Sequence, residues 1–169
     1  MTRFVSVFGL AALLLVFSAS MAATLKPVPG KPVPPTLKLM DLKGQTHDLA
    51  QYRGKIILVQ FWATYCPPCR KEMPSMNRLM KKMGDTPFAI LAVNMGEPAD
   101  AVQAFIDEVG AEFTVLLDVN GDAIGTWKVF AAPSNFIIGP QGRVRYTLFG
   151  GVDWDSDDMV KTLRALANE

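Results

Sequence analysis

Histidine and cysteine are scarce in this chain: one His and two Cys in 169 residues. A structural zinc site takes four Cys or His ligands, so the two cysteines, even with His47, cannot build one. Net charge is nearly absent too, with 17 Lys and Arg against 16 Asp and Glu. No long basic run is present, which argues against a nucleic-acid partner. No internal repeat is present, and the length suits one domain with a sizeable core.

What is there begins with an uncharged apolar run at 4–17, preceded by Arg3 and followed by small residues ending in Ser20-Met21-Ala22. This pattern reads as a secretory signal peptide over 1–22, cut after Ala22. The competing reading is an uncleaved membrane anchor, although the run is shorter than the ~20 residues of a spanning helix. With no cysteine near the cut, a lipid anchor on cysteine is excluded. Cleavage removes one basic residue, Arg3, and no acidic one, leaving 16 of each. The mature chain is then expected in the bacterial periplasm without stable membrane insertion, or membrane-anchored if the signal is retained. Residues 23–35 carry five prolines and read as an extended linker to a domain over 36–169.

Strands are expected at 36–40, 55–62, 88–93, 113–117, 135–138 and 144–149, from apolar runs rich in β-branched and aromatic residues. Helices are expected at 67–83, 98–109, 123–129 and 155–167. Pro74 should kink the first of them. Gly139-Pro140-Gln141-Gly142 signals a tight hairpin. The alternation implies an α/β fold, a mixed sheet with a parallel portion and helices on both faces. Reactive groups in such sheets gather beyond the carboxyl ends of the strands.

Cys66-Pro67-Pro68-Cys69 lies just past such an end and opens a helix. Two thiols at this spacing can cycle between dithiol and disulfide. A purely structural disulfide is the duller reading, and closing so short a loop removes little chain entropy. A thiol attacks as thiolate, which a helix N-terminus favours. Cys66 is therefore the expected attacking sulfur and Cys69, one turn in, the shielded resolving one. Pro67 and Pro68 contribute no N–H, so a Cys66 thiolate draws on the N–H of Cys69 and little else. Weak thiolate stabilisation leans toward a reductant.

The segment Phe61-Trp62-Ala63-Thr64-Tyr65-Cys66-Pro67-Pro68-Cys69-Arg70-Lys71-Glu72-Met73-Pro74 resembles the active-site segment of thioredoxin-like proteins, in particular the exported TlpA/ResA branch. Tyr65 stands where that branch typically has Trp. The resemblance runs from about residue 37 to 166 and takes in Val93-Asn94-Met95-Gly96-Glu97 and Ala132-Pro133. It implies a thioredoxin fold with an extra helix and strand at about 98–117. It implies exported thiol-disulfide oxidoreductase activity on protein disulfides, without cofactor or metal. It also implies a membrane thiol electron donor, and clients such as cysteines awaiting haem in cytochrome c maturation or a role in envelope redox homeostasis. By resemblance, Glu97 is a proton carrier for Cys69, Pro133 is cis, and Trp62, Tyr65, Ala132 and Pro133 flank a bound client. Glu97 could instead be a helix-start acid, Pro133 an ordinary trans loop residue, and Trp62 a core residue.

Two further readings compete. A thiol peroxidase would place Thr or Ser three residues before its attacking cysteine, where Ala63 stands. A copper chaperone would use the thiols as soft ligands, but no histidine follows His47. Met73, Met76, Met80 and Met83 recur at helical spacing, as core packing or, more sharply, as a copper-binding surface.

Overall fold

The computed structural model describes residues 24–169; the expected signal peptide over 1–22 lies outside them. Eight strands form one sheet: β1 (Lys26–Pro27), β2 (Lys38–Asp41), β3 (Thr46–Asp48), β4 (Ile56–Trp62), β5 (Phe88–Asn94), β6 (Thr114–Leu117), β7 (Ser134–Ile138) and β8 (Val144–Phe149). Four helices accompany it: α1 (Pro67–Met83), α2 (Ala99–Val109), α3 (Asp122–Thr126) and α4 (Asp157–Ala165). The strand order is β1-β8-β7-β4-β5-β6-β2-β3. Only β4–β5 and β5–β6 run parallel. The expected mixed α/β sheet with helices on both faces is what forms.

β4 lies at the centre and is buried along its whole length. Its alternation divides the core. Ile56, Leu58 and Trp62 face one cluster, with the buried residues of α1, α2 and α4. Ile57, Val59 and Phe61 face the other, with Ala123 and Trp127 around α3. A strand covered on both faces needs apolar residues at every position, and Gln60 is the one polar exception.

α1 is built to hold Cys66 at its start. Cys66 is the N-cap, and Pro67 and Pro68 occupy the first helical positions, where a missing N–H costs nothing. Cys69, Glu72, Met73, Met76, Leu79 and Met83 form its buried stripe, at the three- and four-residue spacings of one helix face. The helix continues past Pro74 and ends at Gly84, at positive φ, with Lys81 and Lys82 in the last turn. Met73, Met76 and Met83 are core residues and Met80 packs against them, so this stripe presents no methionine surface to a metal. α2 and β6 are the expected insertion; β6 extends the sheet beyond β5 and then pairs with β2.

Two strands escape the sequence reading. The polar connection around His47 contains β3, paired with β2; His47 bridges the Tyr52 hydroxyl (2.7 Å) and the Asp41 carboxylate (3.0 Å). The segment expected as a linker is docked: β1 pairs with β8, Val28 N–H donates to Arg145 O, and Pro32 O accepts from Val144 N–H. The fold therefore begins before residue 36. Proline is tolerated on such an edge strand, where its lost donor would face solvent.

Met76 tests the packing directly. Met76→Ala should lower the stability of the oxidised protein by about 2–5 kcal/mol, read from urea unfolding. A loss near zero would show that the stripe is not core.

Candidate active site

The site lies where three chain segments meet beyond the carboxyl end of β4. The first is the loop Ala63–Cys66, leading from β4 into α1. The second is the approach to β7, where the Ala132–Pro133 bond is cis. Ser134 pairs with Phe61, so Pro133 stands level with the end of β4. The third is the segment after β8. Gly150 N–H donates to Pro133 O (3.1 Å). Gly151 then passes so close to the helix start that a Cβ there would sit 3.1 Å from Pro68 Cβ and 3.5 Å from Glu72 Oε2. This is one position where the close approach requires glycine.

Cys66 and Cys69 are joined in a disulfide. Cys66 is the more accessible, at 6% exposure, and Cys69 is fully buried. The N–H of Cys69 donates to Cys66 Sγ at 3.3 Å. The two prolines provide no other backbone donor in the first turn. Arg70 does not supply a free charge, because its guanidinium lies over the Phe105 ring (4.4 Å) and donates to Glu108 on α2.

The structure separates the residues expected around the cysteines. Tyr65 is exposed beside Cys66, and Ala132 is half-buried at the rim. Pro133 is buried beneath it. Trp62, expected against a client, is fully buried and packs on Phe105 with ring centroids 5.0 Å apart. It is core under the cysteines and cannot touch a docked chain in this form. Its place in the β4 alternation dictates that.

Glu97 follows β5 and is half-buried. Its carboxylate accepts from Thr64 N–H (2.7 Å), Thr64 Oγ1 and Asn94 Nδ2 (2.7 Å). Its own N–H donates to Asn94 Oδ1 at 3.0 Å. Three donors occupy the carboxylate, and they tie the Cys66 loop to the end of β5. The geometry braces the loop that carries Cys66.

A second carboxyl, Glu72, lies on the buried stripe of α1 with Cys69; the sequence reading passed it over. It lies three residues after Cys69 on the same buried stripe, a spacing that puts Cβ atoms roughly 5–6 Å apart. Only 2% of it is exposed. Gln60 Nε2 donates to its Oε1, and Val152 N–H to its Oε2 at 3.0 Å. Burial pushes this carboxyl up to about 7, with the Val152 N–H and the Gln60 amide partly opposing the shift. A group poised near neutrality can take and return a proton. The available signal was its register with Cys69 and Met76; its neighbours Arg70 and Lys71 make the stretch read as a solvated charge cluster.

Two outcomes are expected. In the reduced protein, limiting alkylating agent at neutral pH should label Cys66 before Cys69; the reverse order would sink the assignment. Stability should also fall as pH rises. The folded state holds the Glu72 proton up to about 7, whereas an unfolded glutamate releases it near about 4.3. Stability is then greatest below the unfolded value and declines through the folded one, by on the order of 3 kcal/mol in total. Urea unfolding of the oxidised protein at pH 4 to 8 should show this slope, and Glu72→Gln should flatten it.

A family model described as AhpC/TSA family matches residues 29–147. The thiol-disulfide oxidoreductase ResA of Geobacillus kaustophilus is 40% identical over 119 residues, covering 69% of this chain and 67% of that one. The protein of the same name from Bacillus subtilis is 36% identical over 110 residues, 65% of this chain and 62% of that one. The chain thus spans about two thirds of the length of these relatives. Among solved structures, a Chlorobium tepidum protein named as a thiol:disulfide interchange protein DsbE superposes with a TM-score of 0.75 at 27% identity, covering 85% of this chain and 99% of that one. The thioredoxin domain of a Bacteroides vulgatus thiol-disulfide oxidoreductase gives 0.72 at 25% identity, over 86% and 100%. With a Cys-x-x-Cys disulfide capping α1 and a cis-proline beside it, this chain of thioredoxin fold belongs to the AhpC/TSA family, among its thiol-disulfide oxidoreductases of ResA type.

Proposed function

We propose that the chain is an exported reductant of protein disulfides, kept reduced by a membrane thiol donor and working in the bacterial envelope. Its clients are chains whose cysteines must be free, such as those that receive haem in cytochrome c maturation. The observation that carries the reductive direction is the start of α1, where Cys66 Sγ receives one backbone N–H, from Cys69, and faces two prolines. Export rests on the apolar 4–17 run and the small residues before the cut. No helix among the described residues is long and apolar enough to cross a membrane.

The exchange runs in two steps. Cys66 thiolate attacks one sulfur of a client disulfide; the client S–S bond breaks, and its other sulfur leaves as thiolate and takes a proton from solvent. The Cys66 Sγ–client bond is a mixed disulfide. Glu72 carboxylate takes the proton of Cys69, whose thiolate attacks Cys66 Sγ. The client's second sulfur leaves as thiolate and takes a proton from Glu72 or solvent, and the enzyme holds the Cys66–Cys69 disulfide. Two electrons have passed to the client, and a membrane dithiol restores them by the same chemistry. Glu97 holds the Cys66 loop, and the Ala132 backbone offers strand-like pairing to the client.

A thiol peroxidase reading finds less support. Thr64, the aliphatic hydroxyl nearest in sequence before Cys66, is engaged with Glu97, and Ala63 stands where a peroxidase would place its hydroxyl.

The reduction potential tests the direction. Equilibration with a glutathione or dithiothreitol couple should place the Cys66–Cys69 pair nearer thioredoxin, about −270 mV, than a strong periplasmic oxidant, about −120 mV. A value above about −180 mV would overturn the reductive reading. Glu72→Gln should slow resolution of the mixed disulfide at least about 10-fold and remove a pH dependence near 7 from it. Glu97→Gln should act on the first step instead, by loosening the loop that carries Cys66. A Glu97→Gln variant that loses the pH dependence while Glu72→Gln keeps it would return the proton to Glu97.

A further inference from the structure

A second concave site lies at the end of the sheet away from the cysteines. The docked segment 33–36, the tight turn Leu49–Tyr52 and the hairpin between β7 and β8 enclose a cavity of about 160 Å³. Leu37, Ile57 and Ile138 line it, and none is more than 2% exposed. Pro34 and Pro35 wall one side and offer no N–H. Ile57 stands near the start of β4 and Trp62 at its end. The strand between them spans roughly 17 Å, so an occupant of the cavity would not reach the cysteine pair.

The lining is cationic on one side. Lys31, Arg70, Arg78, Lys81, Lys82 and Arg145 each face a carboxylate. Arg53 and Lys55, which line the cavity, have no ion-pair partner among the described residues. Arg53 is nonetheless held in place. Its Nη1 donates to Gln141 O at 3.4 Å, and a Cβ on Gly142 would sit 3.5 Å from its Cζ. Gly142 has a φ of 70°, so glycine both turns the hairpin and leaves room for the guanidinium. Lys55 Nζ lies 5.8 Å from the centre of the Tyr52 ring. Asp48 is the acid of the lining, and its Oδ1 accepts from Ala50 N–H at 2.9 Å. Two cations against one acid leave the lining positive.

An apolar cavity of about 150 Å³ accommodates one benzene ring. Small-molecule sites join apolar walls to a few polar groups that fix orientation, and cations without a carboxylate of their own select an anion. The Tyr52 hydroxyl is taken by His47, so the tyrosine supplies a ring to the wall rather than a polar anchor. We propose that this cavity binds a small carboxylate carrying one apolar ring, with the ring on Leu37, Ile57 and Ile138 and the carboxylate at Arg53 and Lys55. It is a second site, independent of the exchange at Cys66.

Phenylacetate is the probe, added to the full-length oxidised protein and followed by amide NMR. It should bind saturably, with shifts confined to residues 33–37, 48–57 and 138–142. Phenylacetamide, of the same shape but neutral, should bind at least about 3-fold more weakly. Acetate, which lacks the ring, should bind at least about 10-fold more weakly. Arg53→Gln combined with Lys55→Gln should bring phenylacetate down to the affinity of phenylacetamide, and Arg53→Lys should keep most of the difference. These variants should reduce a model disulfide at the wild-type rate, because neither residue touches the cysteine site. No saturable binding below about 10 mM, equal affinity for phenylacetamide, or shifts centred on residues 63–69 would each overturn the site. So would a peptide ending in Phe that binds at least about 10-fold tighter than phenylacetate, which would assign the cavity to a polypeptide terminus.

Discussion

Glu72 is buried between α1, the middle of β4 and the segment after β8, and the arrangement of the site follows from that burial. A carboxylate taken out of water is strongly disfavoured unless it is paired. Among the described residues no cation pairs with this one; a Gln60 amide and a backbone N–H do. The balance pushes the group up to about 7. Held by a cation, the same carboxyl would stay charged and useless as a base; left without donors, it would stay protonated. The Gln60 amide on β4 and the passage of Gly151 against Pro68 thus shape the surroundings in which Glu72 titrates.

The other half of the site depends on what the helix start withholds. An N-terminus normally offers several free N–H groups to an anion. Here two of the first positions are prolines, and Cys69 N–H at 3.3 Å is the donor that reaches Cys66 Sγ. A hydrogen bond to a charged group contributes about 1.5–3 kcal/mol net, the equivalent of one to two pKa units. Removing even one donor is therefore enough to matter for thiol–disulfide equilibria, where 30 mV corresponds to about 1.4 kcal/mol. Residue choice between the cysteines can set the direction of electron flow while the fold around them stays fixed.

Much of the fold was legible because the strong signals agree. β4 reads as a buried strand from its unbroken apolar run, and α1 from its stripe, its proline start and its glycine end. What was missed lies where local signals conflict with tertiary context. β3 is three residues, too short for any period to show, and is held by β2 and the His47 bridge. β1 contains a proline and takes its pairing from β8, not from its own propensity. Trp62 looked like a site residue because it is aromatic and near the cysteines, yet the alternation Ile56, Leu58, Gln60, Trp62 already placed it inside. Glu97 and Glu72 show the same conflict in the site. Glu97 follows a strand end and drew attention through the family resemblance, whereas its carboxylate is spent on Thr64 and Asn94. Glu72 hid in the run Arg70-Lys71-Glu72, where composition suggests solvent and only the helical register with Cys69 indicates burial.

The cysteine pair adds little to the stability of this architecture, and that is a condition of its use. Loop-closure entropy for so short a separation is on the order of 2 kcal/mol, small beside a core that buries both faces of β4. The bond spans one helix turn and ties together no two distant elements of the fold. A reduced Cys69 stays inside as a small apolar side chain, the environment free cysteine favours. A bridge that spanned distant elements would have tied electron transfer to the stability of the whole domain; four residues at a helix start decouple the two.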